Sequence, residues 1–149
     1  MKPQRSFVLF VCLLAGCHSL PSAEDQIETH ISATCHASWP CQLDLRGSTS
    51  FQWDALYAFK YNASKAEIEN ATRVSVANYE ELTRYLVFEK DGKVVRIESE
   101  PTNVEHPIKN EVAFDMPDTS VYRVFSANTE FVVTQEHSEA GLYFLLKAK

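Results

Sequence analysis

The stretch RYLVFEKDGKVVRIE, residues 84–98, constrains the fold of this chain more than any other. Two runs of strand-forming residues flank Asp91-Gly92. An Asp-Gly pair supplies the positive φ angles of a type I′ turn, so the stretch is read as a β-hairpin.

A hairpin needs further strands to cover it. In FQWDALYAFKY, alternation places Phe51, Trp53, Ala55, Tyr57, Phe59 and Tyr61 on one face, with Gln52, Asp54 and Lys60 on the other. QLDLR, EVAFDM and SVYRVF also read as strands. EFVVTQE and LYFLLKA flank HSEAG and form a second hairpin. Helix signals are fewer. Ser64 and Glu67 stand as N-cap and N3 of a capping box that opens ASKAEIENA. Ile27 and Ile31, at i and i+4, mark a short amphipathic helix within residues 24–34. NYEELTRY is read as a second helical piece, with Leu82 facing inward. The expected fold class is α+β: mainly an antiparallel β-sheet or small curved barrel with one or two short helices.

The N-terminus reads as a secretory signal. Lys2 and Arg5 precede the apolar run FVLFVCLL, which ends at Ala15, Gly16 and Cys17. The run is about half of what a helix needs to cross a bilayer. The expected organisation is a signal peptide at 1–16, a polar tether at 17–26 and a single globular domain at 27–149.

Of four cysteines, Cys12 leaves with the signal. Cys35 and Cys41, in CHASWPC, form an even pair in an oxidising compartment and are expected to form a disulfide. Their spacing is wider than a redox C-x-x-C. Together with His30 and His36 they match no usual zinc pattern. No metal and no cofactor are expected.

The formal net charge is −6, and it becomes more negative when Lys2 and Arg5 are removed. Such a domain repels nucleic acid and suits a basic protein partner, or simply stays soluble. The few glycines are isolated, and no G-x-S-x-G elbow or H-E-x-x-H helix occurs. Asp54 beside aromatics, and His106 before Pro107, are the residues an acid–base enzyme would use. The expectation is nevertheless no catalytic residue and no enzyme. Two features point to partner contact. Glu98, Glu100 and Glu105, in a segment stiffened by Pro101 and Pro107, read as a loop offering carboxylates to a basic partner, or as a solvated connection. Trp39, inside the Cys35–Cys41 loop, is either an interface anchor or a cap on one end of the core.

Leu14-Ala15-Gly16-Cys17 resembles the lipobox of bacterial lipoproteins. The resemblance implies cleavage before Cys17, a diacylglyceryl group on its thiol and acylation of its amine. Two or more acyl chains hold a protein at a membrane where one would let it leave. His18 stands where an inner-membrane retention signal would place Asp. That implies the outer membrane, periplasmic side. WDALYAF, KYNASKAEIENA, LVFEKDGKVV and EVAFDMPD are similar, in order, to a family of small bacterial lipoproteins with a Trp-Asp strand, a capped helix and an Asp-Gly hairpin. The likeness spans much of Cys41 to Asp118 and brings no catalytic residues. The glycine that usually closes the first helix is missing, where NATRV stands. Outer-membrane lipoproteins of this size include immunity proteins that neutralise toxins, lysozyme inhibitors and accessory parts of envelope machines. By that analogy of class, the expectation is a protein-binding module, anchored by its lipid, that inhibits a partner enzyme or incoming effector. The alternative is a structural or assembly lipoprotein of the envelope.

Overall fold

The computed structural model describes residues 20–100, 102 and 107–149. The signal segment, Cys17, Glu105 and His106 lie outside the described residues. In chain order the elements are α1 (Ala23–Thr34), β1 (Cys41–Asp44), β2 (Ala55–Phe59), α2 (Lys65–Thr72), β3 (Arg84–Lys90), β4 (Lys93–Glu100), β5 (Val112–Phe114), β6 (Tyr122–Ser126), β7 (Glu130–Ser138) and β8 (Gly141–Ala148). The strands form two sheets, ordered β1-β7-β8-β5 and β4-β3-β2-β6. All pairings are antiparallel except β5 with β8, which is parallel. The fold is mixed α+β and mainly sheet, and the sheets do not close into a barrel.

The main core lies between the sheets. Leu43, Phe131, Val133, Phe144 and Leu146 come from the first sheet and meet Leu56, Leu86, Phe88 and Phe125 from the second. Ile27 and Ile31 of α1 are fully buried in the same cluster. Burying each such side chain stabilises the fold by about 1.5–3 kcal/mol relative to exposure. A second cluster forms on the other face of the β4-β3-β2-β6 sheet. There Phe59, Tyr85 and Val87 pack with Ala63, Ile68 and Val76. This sheet is therefore covered on both sides. That explains why β3 is buried continuously from Arg84 to Phe88 rather than at alternate positions.

Local signals set the element ends. Ser64 Oγ accepts from the Glu67 amide while the Glu67 carboxylate accepts from the Ser64 amide, closing the capping box of α2. At its other end Arg73 takes the left-handed conformation, φ 59°, that a glycine would adopt without strain. Asp91 and Gly92 have φ of 51° and 70°, as a type I′ hairpin requires. Cys35, at the C-cap of α1, is disulfide-bonded to Cys41, the first residue of β1, with Cα atoms 5.6 Å apart. The bond ties the helix end to the first sheet.

Three expectations are corrected. Residues 23–26, read as tether, form the first turn of α1. Ser22 caps the helix and Asp25 completes a second capping box, with Ala23 and Glu24 buried. The fold thus begins before residue 27. NYEELTRY forms turns rather than a helix, and Leu82, with φ 57°, is 60 % exposed. The strand read over residues 51–61 is confined to Ala55–Phe59. Trp53, Leu56 and Ala58 join the main core, while Tyr57 and Phe59 belong to the second cluster.

Candidate functional site

The structure places the sequence-derived candidates in two ways. Trp39 is half-buried, stacks on Phe144 at 5.6 Å between centroids and packs against the main core. It caps one end of that core. Glu98 and Glu100 do not lie on a loop. They are the last inward-pointing residues of β4, on the face that also carries Arg96. Their carboxylates turn toward α1 instead of toward solvent.

There they join a cluster of buried charges. Arg84 Nη2 donates to both carboxylate oxygens of Glu24, and Nη1 donates to the Val112 carbonyl at 3.1 Å. Arg84 Nε lies 3.3 Å from Glu111 Oε1, close enough for an ion pair but without hydrogen-bond alignment. Glu24 Oε1 also accepts from the Val112 amide at 2.7 Å. Glu98 accepts from Arg96 Nε at 2.6 Å and from the Ala23 amide at 2.5 Å, at the positive end of α1. One helix and both sheets are thus joined through charge-assisted bonds.

Glu100 is the exception. It is 6 % exposed, and its Oε1 has no hydrogen-bond donor. Burial, and then the Glu24 charge beside it, push its carboxyl up to about 9. Burial likewise raises Glu111, opposed by Arg84 and the Ile108 amide. A cavity of about 470 Å³ opens onto this cluster. Its walls include Glu24, Asp25, Glu28, Glu100 and Glu111.

A second feature was not singled out in the sequence. On the outer face of the β4-β3-β2-β6 sheet, Tyr57, Phe59 and Tyr122 form a three-ring group, with Phe59 also packed in the cluster that holds Ile68 of α2. The Tyr57–Tyr122 and Phe59–Tyr122 centroids are 6.3 and 5.0 Å apart. Val124 pairs across from Tyr57, and Tyr122 and Val124 are 37 % and 45 % exposed. Tyr57 donates to Glu89 at 3.3 Å, and burial together with that carboxylate raises the phenol. Alternation in SVYRVFS was the available signal. It sets Tyr122 and Val124 opposite Phe125, which takes the core side.

Of the two residues considered for acid–base chemistry, His106 lies outside the described residues and Asp54 has structural partners. Asp54 accepts from the Asp91 amide at 2.9 Å and from Lys90 at 2.7 Å. These bonds, the amide first, hold its carboxyl below the usual range. It pins the hairpin turn and is poorly suited to donate a proton. It lines a cleft of about 460 Å³ with Arg46, Phe51, Trp53, Lys90 and Asn128. His30 and His36 bond the carbonyls of Asp44 and Ala33. Among the described residues, no group of three His, Cys, Asp or Glu is placed to hold a metal ion, and no helix is long and apolar enough to cross a membrane.

Comparison with protein-family models, with curated proteins and with solved structures found no match to this chain.

Proposed function

We propose that this chain is an outer-membrane lipoprotein, held by acyl chains on Cys17 at the periplasmic side, that binds and inhibits a partner enzyme or incoming toxin as immunity lipoproteins do. The observation that carries this reading is the stacked patch of Tyr57, Tyr122 and Val124. Aromatic side chains left open on a sheet face supply large contact area at low entropic cost, and such patches mark interaction surfaces. The chain around it is acidic, with a net charge of −6, so the partner that fits is a protein presenting an apolar centre within a basic rim. Inhibition requires only a complementary surface over a cleft, which agrees with a domain whose polar groups serve structure.

The test is a photo-crosslinking residue at position 122 in the full chain in its own envelope. A captured enzyme whose activity the purified protein inhibits, with inhibition lost in Tyr122→Asp, is the expected result. Capture of a resident envelope component that has no activity to inhibit would favour an assembly role. Absence of any crosslink at 122 or 124 would remove the basis for both.

A further inference from the structure

We propose that the cleft beside Trp53 is a binding site for a small carboxylate with an apolar body, as carried by a free organic acid or by the C-terminus of a peptide. The cleft shares no residue with the aromatic patch, and this inference does not rest on that reading.

Trp53 is 6 % exposed, and its indole N–H donates to no group among the described residues. A buried indole nitrogen normally has an acceptor. This one is not sealed in. Among the described residues, the enclosed side-chain nitrogens and oxygens without a partner are Arg84 Nε and Glu100 Oε1. The Trp53 N–H therefore keeps an opening, and Trp53 lines the cleft of about 460 Å³. Indole donates and does not accept, so what it lacks is an acceptor from outside the chain.

Arg46 lines the same cleft. Its backbone amide is held by Asp44 at 2.9 Å, while its guanidinium has no ion pair or hydrogen bond among the described residues. The other charges on the wall are committed. Asp54 accepts from Lys90 and from the Asp91 amide, and Lys90 lies between Asp54 at 2.7 Å and Asp91 at 3.8 Å. One uncommitted cation beside an unpartnered N–H matches a monoanion with two acceptor oxygens better than a dianion such as phosphate.

The frame of the cleft is set by the fold. Ser48 Oγ donates to the Leu45 carbonyl at 2.7 Å, and the Ser50 amide donates to Gln26 Oε1 at 2.6 Å. The Asp54 amide donates to the Glu89 carbonyl at 2.7 Å, and the Asp54 carbonyl accepts from the Ala127 amide at 2.9 Å. Such a frame lowers the ordering cost of binding. A sugar would need an open aromatic face. Trp53 exposes too little for one, and Arg96 lies over the Phe51 ring, 5.6 Å from its centroid. Phe51 and Ala127 instead give the body of the ligand apolar contact. The volume lies within the range of small-ligand sites.

The test is NMR on the isotope-labelled full chain in detergent, titrated with isovalerate at pH 7. The chain has two tryptophans, and Trp39→Phe assigns their indole signals. The expected result is a saturable shift of the Trp53 N–H signal while that of Trp39 stays in place. Arg46→Gln changes an exposed side chain and should weaken binding about tenfold or more. Isovaleramide, which keeps the body and loses the charge, should weaken to a similar degree. The peptide acetyl-Ala-Ala-Val separates the sources. Binding tighter than isovalerate, lost when its C-terminus is amidated, assigns a peptide end, and binding no tighter assigns a free acid. The proposal is overturned if neither isovalerate nor the peptide moves the Trp53 signal, if isovaleramide binds as well as isovalerate, or if methyl glucoside moves the signal and isovalerate does not. These readouts use the unmodified protein and do not depend on whether a variant folds.

Discussion

Arg84 Nη2 reaches both oxygens of the Glu24 carboxylate, at 2.9 and 3.0 Å, across 60 residues of sequence. The pair joins the first turn of α1 to the first residue of β3. Both side chains are largely removed from water, so the desolvation of each is offset by the other and by the Val112 backbone, with Glu111 adding to the pairing of Arg84. Arg84→Met should therefore cost about 3–5 kcal/mol, because Glu24 is left buried and uncompensated. Adding Glu24→Gln should recover a large part of that loss. Urea unfolding checks this through the midpoint, with the slope unchanged. Equal stability of the single variant and the parent would contradict it.

Glu100 makes stability fall as pH rises. Between its ordinary value of 4.5 and about 9 the folded chain holds a proton that the unfolded chain has released. Its contribution is therefore fully present below 4.5 and is lost as pH climbs through about 9, with a slope of at most about 1.4 kcal/mol per pH unit for one proton. Glu100→Gln keeps the neutral shape and should flatten the profile from pH 5 to 9. Chemical denaturation at several pH values measures both. A parent profile as flat as the variant's would refute the assignment.

The Cys35–Cys41 bond closes a short loop, with a sequence separation of 6. Cys35→Ser with Cys41→Ser should lower stability by about 2 kcal/mol. The expected readout is a fall in thermal midpoint equal to that produced in the parent by a reductant. Reductant should have no effect on the double variant.

The anchor is tested separately. Cys17→Ala should abolish acyl labelling and move the protein from the membrane to the soluble periplasmic fraction. A variant that stays membrane-bound and uncleaved would contradict the lipobox reading.

What the sequence made legible was local. Ser64 with Glu67, Asp91 with Gly92, and the Cys35–Cys41 pair each act over a few residues, and the structure shows all three as read. The second capping box, Ser22 with Asp25, carried the same signal but stood in a segment read as tether. Which face of a strand is buried was harder. In β4 the charged face, Arg96, Glu98 and Glu100, turns toward the helix, while Ile97 packs in the smaller cluster beneath α2. Alternation reports two faces but not which one is covered, and the partners that neutralise Glu98 and Glu100 lie far away in the chain. The same distance hid the acidic cavity, since its carboxylates come from residues 24, 25, 28, 100 and 111.

The strand order carries a consequence for how the chain reaches this state. All four strands of the β4-β3-β2-β6 sheet are complete by Ser126. The other sheet is built around β7 and β8, and its outer strands β1 and β5 wait for them. Ile27 and Ile31, which that late sheet covers, emerge first. During synthesis roughly one hundred residues pass before their shelter exists, since β7 begins at Glu130. For that interval the helix needs either a chaperone's surface or an unfolded passage, and the whole molecule consolidates only when its final strand arrives.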